Sequence, residues 1–111
     1  MKLEVHERIA LLQLLPKEGD YEGLISLRRA REMISFDPAE VEFYEITSGM
    51  NANGQPVTNW NSAKANEQIK DIPVDEYITS KIRKILADLE KKGKLTDQTF
   101  SLFEKFVVMY Q

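Results

Sequence analysis

The sequence predicts an α+β fold: a single, mostly helical domain over residues 1–111, with a central antiparallel β-hairpin and a C-terminal antiparallel helical hairpin. Three observations predict it. Apolar residues recur at steps of three and four at both ends of the chain, which is the spacing of an amphipathic helix. The middle instead carries β-branched and aromatic runs around a loop of Asn and Gly. The length of 111 residues, 42% hydrophobic and 30% charged, is that of one ordinary globular domain able to fold without a staple.

Taken in order, Val5, Ile9, Leu12 and their neighbours Ala10, Leu11 and Leu15 outline a first helix over 5–15. Pro16 stops it, because the residue before a proline is pushed out of the α region. Asp20 is the expected N-cap of a second helix over 21–36, whose stripe is Leu24, Leu27, Ala30 and Ile34. Asp37-Pro38-Ala39-Glu40 then reads as a capping box with proline at the first helical position, so a short third helix should start there. Strand propensity takes over at Phe43–Thr47. Asn53-Gly54 predicts a type I′ turn, and 56–60 returns as the second strand. The stretch 61–71 is polar and reads as a solvated loop, with a short third strand at 68–70. After Pro73, Tyr77/Ile78, Ile82, Ile85/Leu86 and Leu89 mark a long helix that ends at Lys91-Lys92-Gly93. Thr96 and Asp97 open the last helix, with Phe100, Phe103, Phe106/Val107 and Tyr110 as its apolar stripe. That makes about five helices, with no repeat and no linker.

Most reaction chemistry lacks its residues. There is no cysteine, which excludes disulfides, thiolate metal sites and a cysteine nucleophile. The single histidine, His6, has no second His or Cys beside it, so solvated helix surface is its expected place. It would have to be the base of any Ser-His-Asp triad, and no G-x-S-x-G elbow is present. The glycines at 19, 23, 49, 54 and 93 form neither G-x-G-x-x-G nor G-x-x-x-x-G-K-[ST]. No calcium loop is present either. The expectation is a non-enzymatic protein with no cofactor and no metal. The longest apolar run is too short to span a bilayer. The first eight residues carry charges where a secretory leader would be apolar, so a cytoplasmic location is expected.

Charge distribution supplies the candidate surfaces. The chain has 15 Lys+Arg against 18 Asp+Glu, a formal net charge of −3. Carboxylates gather in the middle, where Glu40, Glu42 and Glu45, together with the hairpin tip and Trp60, are the candidate protein-binding surface. Trp60 stands in a polar stretch, as either a plug under the loop or an exposed anchor of the kind enriched at interfaces. Cations gather towards the C-terminus, where residues 81–94 hold six against two carboxylates. Arg28, Arg31, Lys81, Lys84 and Lys91 are therefore the candidate nucleic-acid contacts of an alternative reading, a small winged-helix-like regulator. Helix, turn, capped helix and hairpin follow each other in the order of that fold. Its chemistry opposes the reading: Pro38 to Glu45 offers carboxylates where a recognition helix needs Arg, Lys, Asn or Gln.

Ile9-Ala10-Leu11-Leu12-Gln13-Leu14-Leu15-Pro16-Lys17-Glu18-Gly19-Asp20-Tyr21, followed by Leu27-Arg28-Arg29-Ala30-Arg31-Glu32, resembles small uncharacterised proteins of tailed bacteriophages and prophages. There a Leu-Leu-Pro-x-Glu-Gly motif precedes an Arg-rich helix. Lys91-Lys92-Gly93-Lys94-Leu95-Thr96 before an aromatic helix is similar to the end of the same group. The resemblance covers the two ends and not the hairpin, and it transfers no activity. It implies a cytoplasmic, phage-derived accessory protein. The favoured function is a protein–protein interaction module with a protein partner.

Overall fold

The computed structural model describes residues 1–67 and 69–109. Among them are six α-helices, a π-helical turn and four short strands: β1 (Lys2–Leu3), α1 (Val5–Leu14), α2 (Tyr21–Ile34), α3 (Pro38–Tyr44), β2 (Thr47–Met50), β3 (Pro56–Asn59), α4 (Ser62–Glu67), β4 (Lys70–Asp71), α5 (Glu76–Lys91), α6 (Asp97–Phe103) and the π turn Glu104–Val108. The mostly helical α+β class, the central hairpin and the C-terminal helical pair are as the sequence predicts.

The expected punctuation is in place. Asp20 Oδ1 accepts from the Gly23 N–H at 2.7 Å, and Asp37 Oδ1 accepts from the Glu40 N–H at 2.7 Å. The Glu40 carboxylate accepts in return from the Asp37 N–H, which completes the capping box. Gly93 ends α5 at φ 65°, where a side chain would be strained. Its N–H donates to Glu90 O at 3.0 Å and the Lys94 N–H donates to Leu89 O at 2.8 Å, the paired bonds of a Schellman motif.

Four expectations need correction. The predicted strand over 43–47 begins only at Thr47, because α3 keeps its hydrogen bonds through Tyr44 and leaves through Glu45 at φ 55°. The solvated loop over 61–71 contains α4, started by Asn61, whose Oδ1 accepts from the Lys64 N–H at 3.1 Å. It also contains β4, which pairs antiparallel with β1, Lys2 facing Asp71 and Leu3 facing Lys70. The strand expected at 68–70 thus lies at 70–71, and Gln68 lies outside the described residues. The last helix turns Thr99, Leu102 and Phe106 to the core, with Phe103 and Val107 beside them; Phe100 is 58% exposed. Burial there follows the three-to-four-residue step from Leu102, which leaves Phe100 off the buried face. The predicted Tyr110 position lies outside the described residues.

The main core joins Leu3, Leu11 and Leu15 to Leu27 and Ile34 of α2, Ile78, Ile82 and Leu86 of α5, and Leu102 and Phe106. A smaller cluster, Val5, Tyr44 and Ala65 with Ile9, Phe36, Phe43, Ile46 and Trp60 against it, sits under the central hairpin. Between the two clusters lie buried charges. Arg8 is 1% exposed. Its Nε donates to Ile34 O at 2.8 Å and its Nη2 to Ser35 O at 2.7 Å, the free carbonyls at the end of α2. It pairs with the Glu40 carboxylate at 2.5 and 3.1 Å, and its guanidinium lies 4.0 Å above the Phe36 ring. One side chain of α1 therefore fixes the end of α2 to the start of α3. Glu7, also fully buried, receives the Lys105 ammonium at 2.6 Å and the Glu4 N–H at 2.9 Å, which ties α1 to the π turn.

Candidate functional site

The β2–β3 hairpin is exposed at every strand position but Val57. Glu45 turns the chain out of α3, and the Asn61 N–H donates to Tyr44 O at 2.8 Å to close the base. The strands pair in the register Thr47–Asn59, Ser48–Thr58, Gly49–Val57 and Met50–Pro56. At the tip the Gly54 N–H donates to Asn51 O at 3.0 Å and the Asn51 N–H donates to Gln55 O at 2.9 Å. Gly54 has φ 76° and Asn53 does not have a positive φ. The turn is therefore type I with a left-handed glycine bulge, and not the type I′ turn that Asn53-Gly54 predicts. The cause is Asn51, whose Oδ1 accepts from the N–H of Asn53 at 2.9 Å and of Gln55 at 3.0 Å and so fixes a longer loop.

That closing bond sets the parity of the ladder. Asn51 faces Gln55 as a hydrogen-bonded pair, so Gly49–Val57 and Thr47–Asn59 are hydrogen-bonded pairs too. The backbone N–H and C=O groups of Ser48 and Met50 then point away from β3, along an open edge. On the other edge the outward positions are Thr58 and Pro56, and Pro56 has no N–H to offer. All four residues of β2 are exposed, Met50 by 76%. Between Glu45 and Lys64 the chain has no charged residue. Natural edge strands are ordinarily guarded by charge, proline or a cover. Pro56 guards β3; nothing comparable guards β2. The signal is present in the sequence as an uncharged run in a chain that is 30% charged.

The predicted acidic surface is divided. Glu40 turns inward to Arg8 and is also approached by Lys70 at 3.5 Å. Burial raises the Glu40 pKa, but the hydrogen bonds from Arg8 and Asp37 and the charges of Arg8 and Lys70 outweigh it and hold the carboxyl below the usual glutamate value. Glu42 is exposed. Glu45 is exposed and accepts from Asn61 Nδ2 at 2.7 Å, with Lys64 at 3.3 Å; these contacts lower its pKa. Trp60 is half-buried at the base of the hairpin, against the smaller core. It lines a cavity of about 230 Å³ together with Val5, His6 and Ala65. A larger open depression of about 760 Å³ lies between α3 and β4, lined by Asp37, Glu40, Phe43, Tyr44, Glu67 and Lys70 among others. Burial, and then the Glu40 charge, push the Tyr44 hydroxyl above its usual pKa, so it stays protonated at neutral pH.

Of the candidate basic residues, Arg28 and Arg31 lie on α2, and Lys81, Lys84 and Lys91 lie along α5. Arg31 donates to Pro16 O and so holds the first interhelical turn. Lys81 lies 5.5 Å from the Tyr77 ring centroid. Arg28, Lys84 and Lys91 are exposed, and Asp88 stands between the last two on α5, paired with Lys92 at 2.9 Å.

His6 is half-exposed and not simply solvated. Its Nδ1 lies 3.5 Å from Glu4 Oε2 and its Nε2 lies 3.4 Å from Ser101 Oγ. The order carboxylate, imidazole, hydroxyl is that of a hydrolytic triad. Both separations exceed the roughly 2.6–3.2 Å of a working nucleophile and base. Ser101 also lies in the body of α6, where backbone amides are committed to helical bonds and supply no oxyanion site. Glu4, His6 and Glu7 bring one ligand atom each within 4.8 Å of one another. Glu7 Oε1 already serves Lys105, while Oε2 is buried without a hydrogen-bond partner. A cation there would stand beside an ammonium and the positive end of α1. No helix among the described residues is long and apolar enough to cross a membrane. Comparison with protein families, with curated proteins and with solved structures finds no match to this chain.

Proposed function

We propose that the protein is a non-enzymatic protein–protein interaction module whose docking element is the open edge of β2. The observation that carries this is the exposed, uncharged strand with the backbone groups of Ser48 and Met50 aimed outwards. An extended segment can add to such an edge by main-chain hydrogen bonds, and alternate side chains then give selectivity. Trp60 and the divided acidic surface flank the base of the hairpin and would contribute specificity. The cysteine-free composition and the resemblance of the two chain ends to phage proteins favour an accessory factor in the cytoplasm of a bacterial host. A nucleic-acid role has less support, since the exposed hairpin has no Lys or Arg with which to follow a phosphate backbone.

The test compares protein captured from host extract by the wild type, Ser48→Pro and Trp60→Ala. Proline at 48 removes one outward N–H and spares the ladder to β3, as Pro56 does on its own strand. The reading expects a partner held by the wild type and lost by Ser48→Pro, with Trp60→Ala weakening the capture. Equal recovery by wild type and Ser48→Pro refutes the edge as the docking element.

A further inference from the structure

We infer that the occupant of the β2 edge is the same edge of a second copy of this chain, giving a closed dimer with a four-stranded antiparallel sheet; this rests on the reading of β2 as a docking element. The edge is self-complementary. A twofold axis through Gly49 sets Ser48 opposite Met50 of the other copy and Met50 opposite its Ser48. Ser48 and Met50 are the two residues whose backbone groups point outwards, so both facing pairs exchange their N–H and C=O groups as hydrogen-bonded pairs. Gly49 faces its own copy as a non-hydrogen-bonded pair, the position where strands come closest, and there it brings no side chain to the axis.

Charge favours the same arrangement. A twofold axis sets identical surfaces against each other, so any charge near it meets its like. The nearest charges in the chain are Glu45 and Lys64, at the base of the hairpin and outside the paired strand. Pro56 explains why the association closes. Were both edges open, β2 of one copy could pair with β3 of the next without end, which is the heterologous route to filaments. The missing N–H at Pro56 interrupts the β3 edge and leaves the β2–β2 contact as the complete one. Among the described residues no other element covers β2, and no hydrogen bond reaches the Ser48 or Met50 backbone from outside the hairpin.

A four-residue edge buries far less than the roughly 800 Å² per partner of a standard interface, so the dimer is weak and its population depends on concentration. Sedimentation equilibrium of the full chain from micromolar to near-millimolar concentration reads it directly. The expected result is an average mass rising from 12.8 kDa towards twice that value for the wild type and for Thr58→Pro, and staying at 12.8 kDa for Ser48→Pro. Thr58→Pro makes the matching change on the β3 edge and controls for damage to the hairpin. Amide hydrogen exchange of the unmodified protein gives a second reading if a proline variant fails to fold. The Ser48 and Met50 amides should slow as concentration rises while Thr58 does not change. A wild type that stays monomeric throughout, a Ser48→Pro that associates as the wild type does, or exchange at Ser48 and Met50 that ignores concentration each overturns the self-pairing. Failure here leaves the docking reading intact if the captured partner is still lost with Ser48→Pro, so the two can fail separately.

Discussion

Replacing Glu40 by alanine strips the buried Arg8 of its only carboxylate among the described contacts. Two losses add. The first is the ion pair, held at 2.5 and 3.1 Å with Arg8 1% and Glu40 15% exposed. Breaking such a pair from one side costs about 3–5 kcal/mol when the remaining charge is fully isolated. Arg8 is not isolated: it keeps Ile34 O, Ser35 O and the face of Phe36. A figure below that range, about 2 kcal/mol, is therefore the appropriate one. The second loss is the return bond of the capping box from the Asp37 N–H, long at 3.3 Å and exposed, which is worth about 0.5 kcal/mol. Glu40→Ala should thus destabilise by about 2–3 kcal/mol, a fall in Tm of roughly 10–15 °C for a chain of this size. Glu42→Ala, at an exposed position of the same helix, should stay within about 0.5 kcal/mol of wild type. Urea unfolding followed by circular dichroism measures both. A cycle with Arg8→Met isolates the pair: a coupling above about 1 kcal/mol is expected for groups in direct contact. If Glu40→Ala costs no more than Glu42→Ala, the claim that Arg8 and Glu40 clamp α2 to α3 is refuted.

Three further outcomes follow from the same buried charges and exposed cations. The Glu40 carboxyl has a lower pKa folded than unfolded, so its contribution is complete above the unfolded value of about 4.3 and is lost as pH falls through the folded value. The urea midpoint of the wild type should therefore fall between neutral pH and pH about 3.5 more steeply than that of Glu40→Gln. Lys105→Met leaves the buried Glu7 carboxylate and the Lys2 carbonyl without their ammonium, and should cost about 2 kcal/mol in urea unfolding, less than a wholly buried pair because the lysine is 31% exposed. Retention on heparin at low salt should be slight and insensitive to Lys84→Ala, since Asp88 interrupts the α5 cations and the chain carries a net charge of −3; strong, steeply salt-dependent retention would restore the nucleic-acid alternative.

The legible part of the fold was its punctuation. Asp20, Asp37-Pro38 and Gly93 act through bonds to backbone groups three residues away, and the Thr96 N–H donates to Thr99 Oγ1 three residues on, so a local reading finds them. What escaped depends on distant partners. β1 and β4 are two residues each and exist because residues about seventy positions apart meet. Glu7 and Arg8 are charged positions of the first helix, yet they are among the most buried side chains, because α1 meets the end of α2 and the π turn there. Glu40 was singled out as an acidic surface group for the same reason: its partner is thirty-two positions earlier. Phe100 shows the reverse error, an aromatic residue counted as core by type when the buried face of α6 runs through Leu102.

The charges are thus placed opposite to the usual expectation, and this gives the hairpin its character. Arg8 and Glu40 join the end of α2 to the start of α3, and α3 runs without interruption to Tyr44, whose carbonyl accepts from the N–H of Asn61, just past the far strand. The hairpin therefore springs from a base anchored on both sides, with Trp60 and Ile46 packed beneath it. A two-stranded ribbon alone is marginal in water. Anchored in this way, its strands need little stabilisation of their own, and β2 can dispense with the charged side chains and cover that edge strands ordinarily carry. The same argument makes Glu40→Ala informative beyond stability. If the clamp orients the edge, that variant should weaken β2 association even under conditions where it remains folded, whereas Lys105→Met, which removes the partner of Glu7 and leaves the Arg8–Glu40 pair in place, should lower stability and leave association unchanged.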